Sequence, residues 1–162
     1  MVEKPTVLSF LRQMIGHEVT YTDEFEIEKG MIKRFAIATG DPNPLYCDEE
    51  FAKSTPYGGI IAPPTLLFEW NHHIHGALPP ENRETLFSGL ERQPRLVRGI
   101  NEYEFLQPVR AGDIIKTKSR IIDAYEKQGR SGQLVFMICQ TDYFNQMEEH
   151  LGRSKDTYIF LP

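Results

Sequence analysis

Apolar side chains recur along the first forty residues with two different periods, which divide this stretch into helices and a strand. Residues 6–15 and 28–39 place apolar positions three and four apart, the spacing of one helix face, and Gly16 and Gly40 follow as stops. Between them, residues 18–27 mostly alternate apolar and polar side chains, which is the period of a half-buried strand. The pattern predicts the order helix, strand, helix.

The second half of the chain is dominated by long segments of β-branched and aromatic residues. Four such segments are separated by short turns rich in glycine and polar residues; they lie at 96–109, 113–127, 133–145 and 153–161. They predict four antiparallel strands. The alternation is imperfect around Gly99, which predicts a β-bulge in the first of them.

A buried helix is predicted ahead of these four strands. Residues 65–75 are densely apolar and contain neither proline nor glycine, and Gly76 ends the run. A curved antiparallel sheet needs an apolar element against its concave face, and this helix is the most apolar candidate. The sequence therefore predicts one α+β domain over residues 1–162, a curved antiparallel sheet wrapped around a central helix at about residues 63–76.

Length and charge narrow the possible functions. The 162 residues suit one domain, and a formal net charge of −5 provides no general attraction for nucleic acid or an anionic membrane. No apolar run reaches the roughly 18 residues of a membrane span, and the N-terminus lacks a signal-peptide pattern. Cys47 and Cys139 have neither metal-site nor disulfide-framework spacing. We expect a cytoplasmic protein with reduced thiols that binds neither nucleic acid nor membrane.

The stretch 38–65 is interrupted too often to form one helix or one strand. Its five prolines and three glycines restrict or free the backbone at eight positions. Polar side chains are held on this restricted backbone, namely Asp41, Asn43, Tyr46 and Asp48. The composition predicts a preorganised site in the loop ahead of the central helix.

Two segments carry a resemblance to a known family. The run FAIATGDPNPLYCDEEFAKSTPYGGIIAPPT resembles the hydratase motif of MaoC-like proteins, in the form of the FAS1-like dehydratase domain. The segment FLQPVRAGDIIKTKSRI is similar to the strand, Gly-Asp turn and next strand that follow the central helix in that family. The resemblance covers about Val19 to Ile159 and implies a hotdog fold.

The resemblance also implies an activity in fatty acid metabolism. MaoC-like proteins are (R)-specific enoyl-CoA hydratases or 3-hydroxyacyl-thioester dehydratases, which add water across the C2=C3 bond of a thioester or remove it. The substrate is an acyl-CoA or acyl carrier protein thioester, and no cofactor is implied. Because hotdog sheets commonly join edge to edge, we expect a homodimer or a heterodimer with another hotdog subunit.

The family's catalytic groups map onto this chain with two departures. The motif's aspartate corresponds to Asp41, but its histidine corresponds to Tyr46, whose ordinary pKa of about 10 makes it a poor base at neutral pH. The glycine whose N–H binds the thioester oxygen corresponds to Pro63, which has no N–H. The implied catalytic residues are therefore Asp41 and Tyr46. Implied substrate contacts are Asn43, Gly59, Ile60, Ala62, Pro63 and Thr65.

Three functions fit these departures. The preferred one is a hydratase or dehydratase subunit that works beside a catalytic hotdog chain carrying the intact aspartate and histidine. The second is a self-sufficient homo-oligomeric hydratase that uses Asp41 as base and Tyr46 to orient water. The third is a non-catalytic scaffold that binds acyl thioesters, or a thioesterase.

Structural explanations compete with each chemical one. Asp41 has the context of a turn residue that binds its own backbone, and Tyr46 that of a half-buried aromatic. Cys47 lacks a recognisable base, which a nucleophilic cysteine needs. His72, His73 and His75 have no acidic or cysteine partner at a spacing suited to a metal site, so no metal is expected. Arg92, Arg95 and Arg98 are candidates for contact with coenzyme A phosphates.

Overall fold

The computed structural model describes residues 6–69 and 95–162, with the side chains of residues 21–24 left out. Among these residues, two helices flank the first strand, three short helical elements follow, and four strands come last. The elements are α1 (Val7–Gln13), β1 (Glu18–Glu26), α2 (Lys29–Thr39), a 3₁₀ turn (Pro44–Tyr46), α3 (Glu49–Lys53), α4 (Leu66–Glu69), β2 (Arg95–Phe105), β3 (Ile114–Gly129), β4 (Gly132–Phe144) and β5 (His150–Leu161).

The strands form one antiparallel sheet in the order β1-β3-β4-β5-β2. The predicted bulge is confirmed, because the register of β2 against β5 shifts between Arg98 and Asn101. A Cβ on Gly99 would lie only 3.1 Å from the Cδ1 of Ile159, so the bulge brings the two strands close at a residue without a side chain.

Helices cover one face of the sheet, which we call the helix-covered face. At one end α1 packs its buried Leu8 and Leu11 over Ile121 and Met137. At the other end Phe68 of α4 lies against a second apolar cluster. Its ring stacks on Tyr103 with centroids 4.4 Å apart and meets Tyr143 edge-on at 5.2 Å. Burial of these side chains between the two helices and the sheet forms the core of the domain.

The predicted central helix is confirmed where the structure describes it. Leu66, Leu67 and Phe68 are all buried, and the remainder of the predicted run lies outside the described residues. Close approach of α4 depends on Gly152 in β5. A Cβ there would lie 3.1 Å from Leu67 and 3.2 Å from Phe68. The glycine therefore lets the helix rest directly on the sheet.

Among the described strands, β2 forms an edge of the sheet and carries exposed apolar side chains. Val97, Ile100 and Phe105 are 39%, 63% and 51% exposed. An open edge with apolar residues is a template for pairing with another strand. Within the part of the chain described here, no helix is both long enough and apolar enough to cross a membrane.

Candidate functional site

The polar side chains of the 38–65 loop accept hydrogen bonds from the backbone of the loop itself. Oδ1 of Asp41 accepts the backbone N–H of Asn43 at 3.1 Å, and Oδ1 of Asn43 accepts that of Leu45 at 3.1 Å. Asp48 caps α3 by accepting the N–H of Phe51 at 3.0 Å. These are the turn and cap bonds that Asx residues form when the backbone bends. The loop is therefore held in one conformation by its own side chains.

Asp41 stands directly after helix α2. Gly40 ends that helix in the left-handed region at φ 69°, and the N–H of Asp41 donates a hydrogen bond to the carbonyl of Ala36 at 2.9 Å. The Asp41 carboxylate is exposed to solvent in this chain. It is thus fixed in position and accessible from outside.

Tyr46 is buried next to this carboxylate, with 7% of its surface exposed. Burial raises its pKa, and the electrostatic interactions with Asp41 and then Tyr57 raise it further. The phenol is therefore neutral at physiological pH and able to donate a hydrogen bond. Among the described residues it has no hydrogen-bond partner. The structure thus brings Asp41 close to the protonated phenol of Tyr46.

The backbone leading into α4 offers few free donors. The N–H of Ala62 donates to the carbonyl of Val109 at 2.8 Å, and Pro63 has no N–H. The carbonyl of Pro63 accepts the N–H of Leu66 at 2.9 Å. The first N–H after the two prolines belongs to the exposed Thr65, and it donates to none of the described residues.

Two cavities flank the segment 57–62, where Ile61 pairs with Arg110 in an isolated antiparallel bridge. One is apolar, measures about 240 Å³ and has Tyr57, Ile61, Leu67 and Phe105 among its walls. The second is charged and measures about 270 Å³. Its lining includes Lys29, Glu49, Lys53, Gly59, Ile60 and Arg110.

The predicted site residues fall into two groups. Gly59 and Ile60 line the charged cavity, and Ala62 lines the apolar one. Neither cavity is lined by the remaining predicted residues, which are Asp41, Asn43, Tyr46, Pro63 and Thr65. Asp41 and Tyr46 therefore lie in the same loop as these two cavities, and among the described residues they line neither of them.

Sequence reasoning missed the cations of the charged cavity. Lys29, Lys53 and Arg110 come from three separate segments, so no local spacing in the sequence indicates that they form one site. Arg98, one of the arginines suggested for phosphate, instead lies 3.7 Å from the carboxylate of Asp156 and 3.4 Å from the hydroxyl of Tyr103. Arg95 begins β2 in an exposed position, and Arg92 lies outside the described residues.

The candidate metal and thiol chemistry has a limited structural basis. His72, His73 and His75 lie outside the described residues, and the described ones contain no group of three or more metal-ligating side chains. Cys47 is exposed and Cys139 is buried, and neither is in a disulfide. Burial, together with the charge of Asp156, raises the pKa of the Cys139 thiol. Cys139 is consequently an unreactive core residue.

A second carboxylate lies beneath the helices rather than in the loop. Asp156 of β5 is 9% exposed, and both of its oxygens accept hydrogen bonds. Oδ1 accepts the side-chain amide of Asn101 at 2.7 Å and Oδ2 accepts the hydroxyl of Ser154 at 2.9 Å. Asp156 therefore links the edge strand β2 to β5 within a satisfied polar network.

The sheet of five antiparallel strands with a buried helix against one face defines a hotdog protein. The family model described as "FAS1-like, dehydratase domain region" matches residues 13–153. The chain therefore belongs to this family of hotdog proteins, and the MaoC-like resemblance is confirmed.

Individual relatives agree with this assignment. A UPF0336 protein of Streptomyces avermitilis is 36% identical over 110 residues, which cover 68% of this chain and 70% of the relative. A probable enoyl-CoA hydratase alpha subunit of Thermomonospora curvata is 28% identical over 129 residues, covering 74% of this chain and 40% of the relative.

The fold has a counterpart among solved structures. A chain of the ChsH1-ChsH2 complex from Mycobacterium tuberculosis matches with a TM-score of 0.72 at 19% identity, covering 96% of this chain and 88% of that chain. At this level of identity the match shows the fold alone.

Proposed function

We propose that this chain is a subunit of an acyl-thioester hydratase or dehydratase that supplies Asp41 and Tyr46 to the chemistry. A second hotdog chain acts beside it and completes the site. The observation that supports it best is the pairing of Asp41, exposed on a fixed loop, with the buried and protonated Tyr46. Membership of a dehydratase family supports the same reaction type. The reaction needs no cofactor, since water and the thioester supply all the atoms.

The two side chains suit different steps of hydration. In that reaction the oxygen of water bonds to C3 of the enoyl thioester while a proton is delivered to C2. A carboxylate at Asp41 accepts the proton lost by water and returns a proton to C2, so none is gained or lost overall. A neutral phenol at Tyr46 orients that water by a hydrogen bond. The thioester oxygen, which gains negative charge, needs a donor other than Pro63.

Three features support the participation of a second chain. Asp41 is exposed, whereas hydration requires a site from which bulk water is excluded. Pro63 provides no N–H for the thioester oxygen. Strand β2 presents an open apolar edge. The name of the Thermomonospora curvata relative, an alpha subunit, and the two-protein complex from Mycobacterium tuberculosis point in the same direction.

The test is hydration of crotonyl-CoA by the chain alone and by the complex that co-purifies with it from its native host. We expect turnover by the complex and little by the chain alone. Asp41→Asn in the complex should lower kcat by about 100-fold or more, because a general base contributes about that much. Asp48→Asn is the matched control, since Asp48 also accepts a backbone N–H in this loop but has no proposed chemical role.

Ordinary turnover by the chain alone, abolished in Asp41→Asn, contradicts the need for a partner. It favours instead the self-sufficient hydratase, for which the proximity of Asp41 and Tyr46 is the supporting observation. In that case Tyr46→Phe should lower kcat, while an unchanged rate removes the phenol from the mechanism. Release of free thiol from an acyl-CoA identifies a thioesterase. No turnover in any combination leaves a thioester-binding scaffold.

A further inference from the structure

We propose that the charged cavity beside the 57–62 segment binds the phosphate of the phosphopantetheine arm that carries the acyl group. This inference rests on the proposed function, because it assigns a subsite for the carrier of the same thioester. The cavity is separate from Asp41 and Tyr46, neither of which lines it. Its role is recognition of the carrier and not the chemistry of hydration.

The charge of the cavity opposes that of the whole chain. Three cations, Lys29, Lys53 and Arg110, line it against the single carboxylate of Glu49, so positive charge is in excess by two. The chain as a whole carries a formal net charge of −5. A local cationic concavity in an acidic protein selects for an anionic group on a small ligand.

The present partners of these cations are weak enough to be replaced. Lys29 pairs with Glu49 at 2.8 Å and Lys53 with Glu50 at 3.2 Å, and the two lysine side chains are 61% and 58% exposed. Exposed ion pairs contribute little to stability, because water and salt screen them. A phosphate that contacts both ammonium groups therefore competes readily for them.

Arg110 is oriented by the segment that it faces. Its guanidinium donates a hydrogen bond to the backbone carbonyl of Tyr57. Its own backbone N–H is held by the buried carboxylate of Asp113 at 2.7 Å. One nitrogen of the guanidinium group is thus held in place. The other donors of the planar group suit the oxygens of a phosphate.

Backbone donors complete the cavity. Gly59 and Ile60 line it, and within the described residues their N–H groups donate no hydrogen bond. Gly58 adopts the left-handed conformation at φ 70°, and no atom lies within 4 Å of a Cβ placed on Gly59. Consecutive backbone N–H groups in a glycine turn are a recurrent means of binding anions.

The charged cavity and the apolar cavity both adjoin the 57–62 segment. The bridge between Ile61 and Arg110 separates the two cavities. Ile60 and Arg110 line the charged cavity, whereas Ile61 and Val109 line the apolar one. Charged groups therefore face one side of the bridge and apolar side chains the other, so an anion is recognised only on the side of Arg110 and the two lysines.

Calorimetric titration of the chain, and of the co-purified complex, tests the proposal without any turnover. The probes are 4′-phosphopantetheine, pantetheine without the phosphate, CoA and a holo-acyl carrier protein. We expect the phosphate to improve affinity by about tenfold or more over pantetheine, as a charge-assisted contact should. Lys53→Ala and Arg110→Ala should abolish that preference. Comparison of CoA with the holo-acyl carrier protein identifies which carrier supplies the phosphate.

Lys33→Ala is the matched control, because Lys33 is an exposed lysine on the same helix as Lys29 but does not line the cavity. It should keep the full preference for the phosphorylated arm. Arg110→Ala removes a hydrogen bond to Tyr57, so thermal unfolding of this variant is measured as well. If Arg110→Ala fails to fold, the phosphate preference of Lys53→Ala tests the proposal. Equal affinity for the two arms, or an unchanged preference in Lys53→Ala, overturns the proposal. The crotonyl-CoA assay judges the hydratase function separately.

Discussion

Asp41 and Asp156 are carboxylates in opposite situations within one domain. Asp156 lies beneath the helices with both oxygens hydrogen-bonded to side chains of its own and the neighbouring strand. Asp41 lies at the surface, where one oxygen accepts a single backbone N–H. The first is committed to holding strands together, whereas the second retains capacity to accept a proton. Burial and partners, rather than residue type, separate a structural carboxylate from a candidate catalytic one.

The largest effect in this comparison is expected at Asp156. Replacing it by alanine removes the 2.9 Å acceptor of the buried Ser154 hydroxyl and leaves the amide of Asn101 with only the hydroxyl of Tyr103 as acceptor. We expect Asp156→Ala to lower the free energy of unfolding by about 3 kcal/mol, since each unsatisfied buried polar group costs about 1–3 kcal/mol. Urea unfolding at fixed protein concentration measures this. The exposed Asp123→Ala on β3 should stay within about 0.5 kcal/mol, and a similar small loss at Asp156 would contradict the structural role.

An intermediate effect is expected at Asp142, on the other face of the sheet. Burial raises the pKa of this carboxyl, but hydrogen bonds from Gln140 and Arg153 and the charge of Arg153 lower it more, so the net pKa lies below its ordinary value. A carboxyl with a lowered folded pKa adds stability above its unfolded pKa of about 3.9 and loses that contribution as pH falls through the folded value.

Asp142→Asn should therefore cost about 1.5 kcal/mol at neutral pH, the usual contribution of a hydrogen bond to a charged group. The difference between the variant and the unmodified chain should shrink as the pH is lowered below about 4. Urea unfolding at a series of pH values measures it. A difference that stays constant with pH would mean that the charge of Asp142 does not contribute.

The smallest effect on stability is expected at Asp41, the residue with the largest proposed effect on turnover. Asp41→Ala removes one exposed turn bond and should cost about 0.5 kcal/mol. Asp48→Ala, which removes the cap of α3, should cost about 1 kcal/mol. Thermal unfolding of both variants, together with the crotonyl-CoA assay, measures the contrast. A loss at Asp41 as large as that at Asp156 would show that its role is structural.

Most of the fold was predictable because its signals are local. The period of apolar residues placed α1, β1 and α2 within a residue or two, and Gly40 marked the end of α2. Long β-branched segments gave the four later strands, and the broken alternation at Gly99 gave the bulge. The 3₁₀ turn and α3 were not predicted, because a helix of three to five residues is too short to display a period.

The candidate site was predictable only in part. The Asp-Pro-Asn-Pro context identified the loop, and Asp41 and Tyr46 do lie close together. The charged cavity was not predictable, since Lys29, Lys53 and Arg110 come from three separate segments that only the folded chain brings together. The burial of Asp156, within a strand that contains many polar residues, was equally unpredictable from the sequence. Such groupings depend on strand register, which a single sequence does not specify.

The contrast between the two cysteines gives direct experimental access to the loop. Cys139 is 5% exposed and its thiol is hard to ionise, whereas Cys47 is exposed immediately after Tyr46. A thiol-reactive fluorophore should consequently attach at one defined position in the native protein, without any engineering of the chain. Its emission would then report, in real time, when an acyl arm arrives or another subunit closes over this loop.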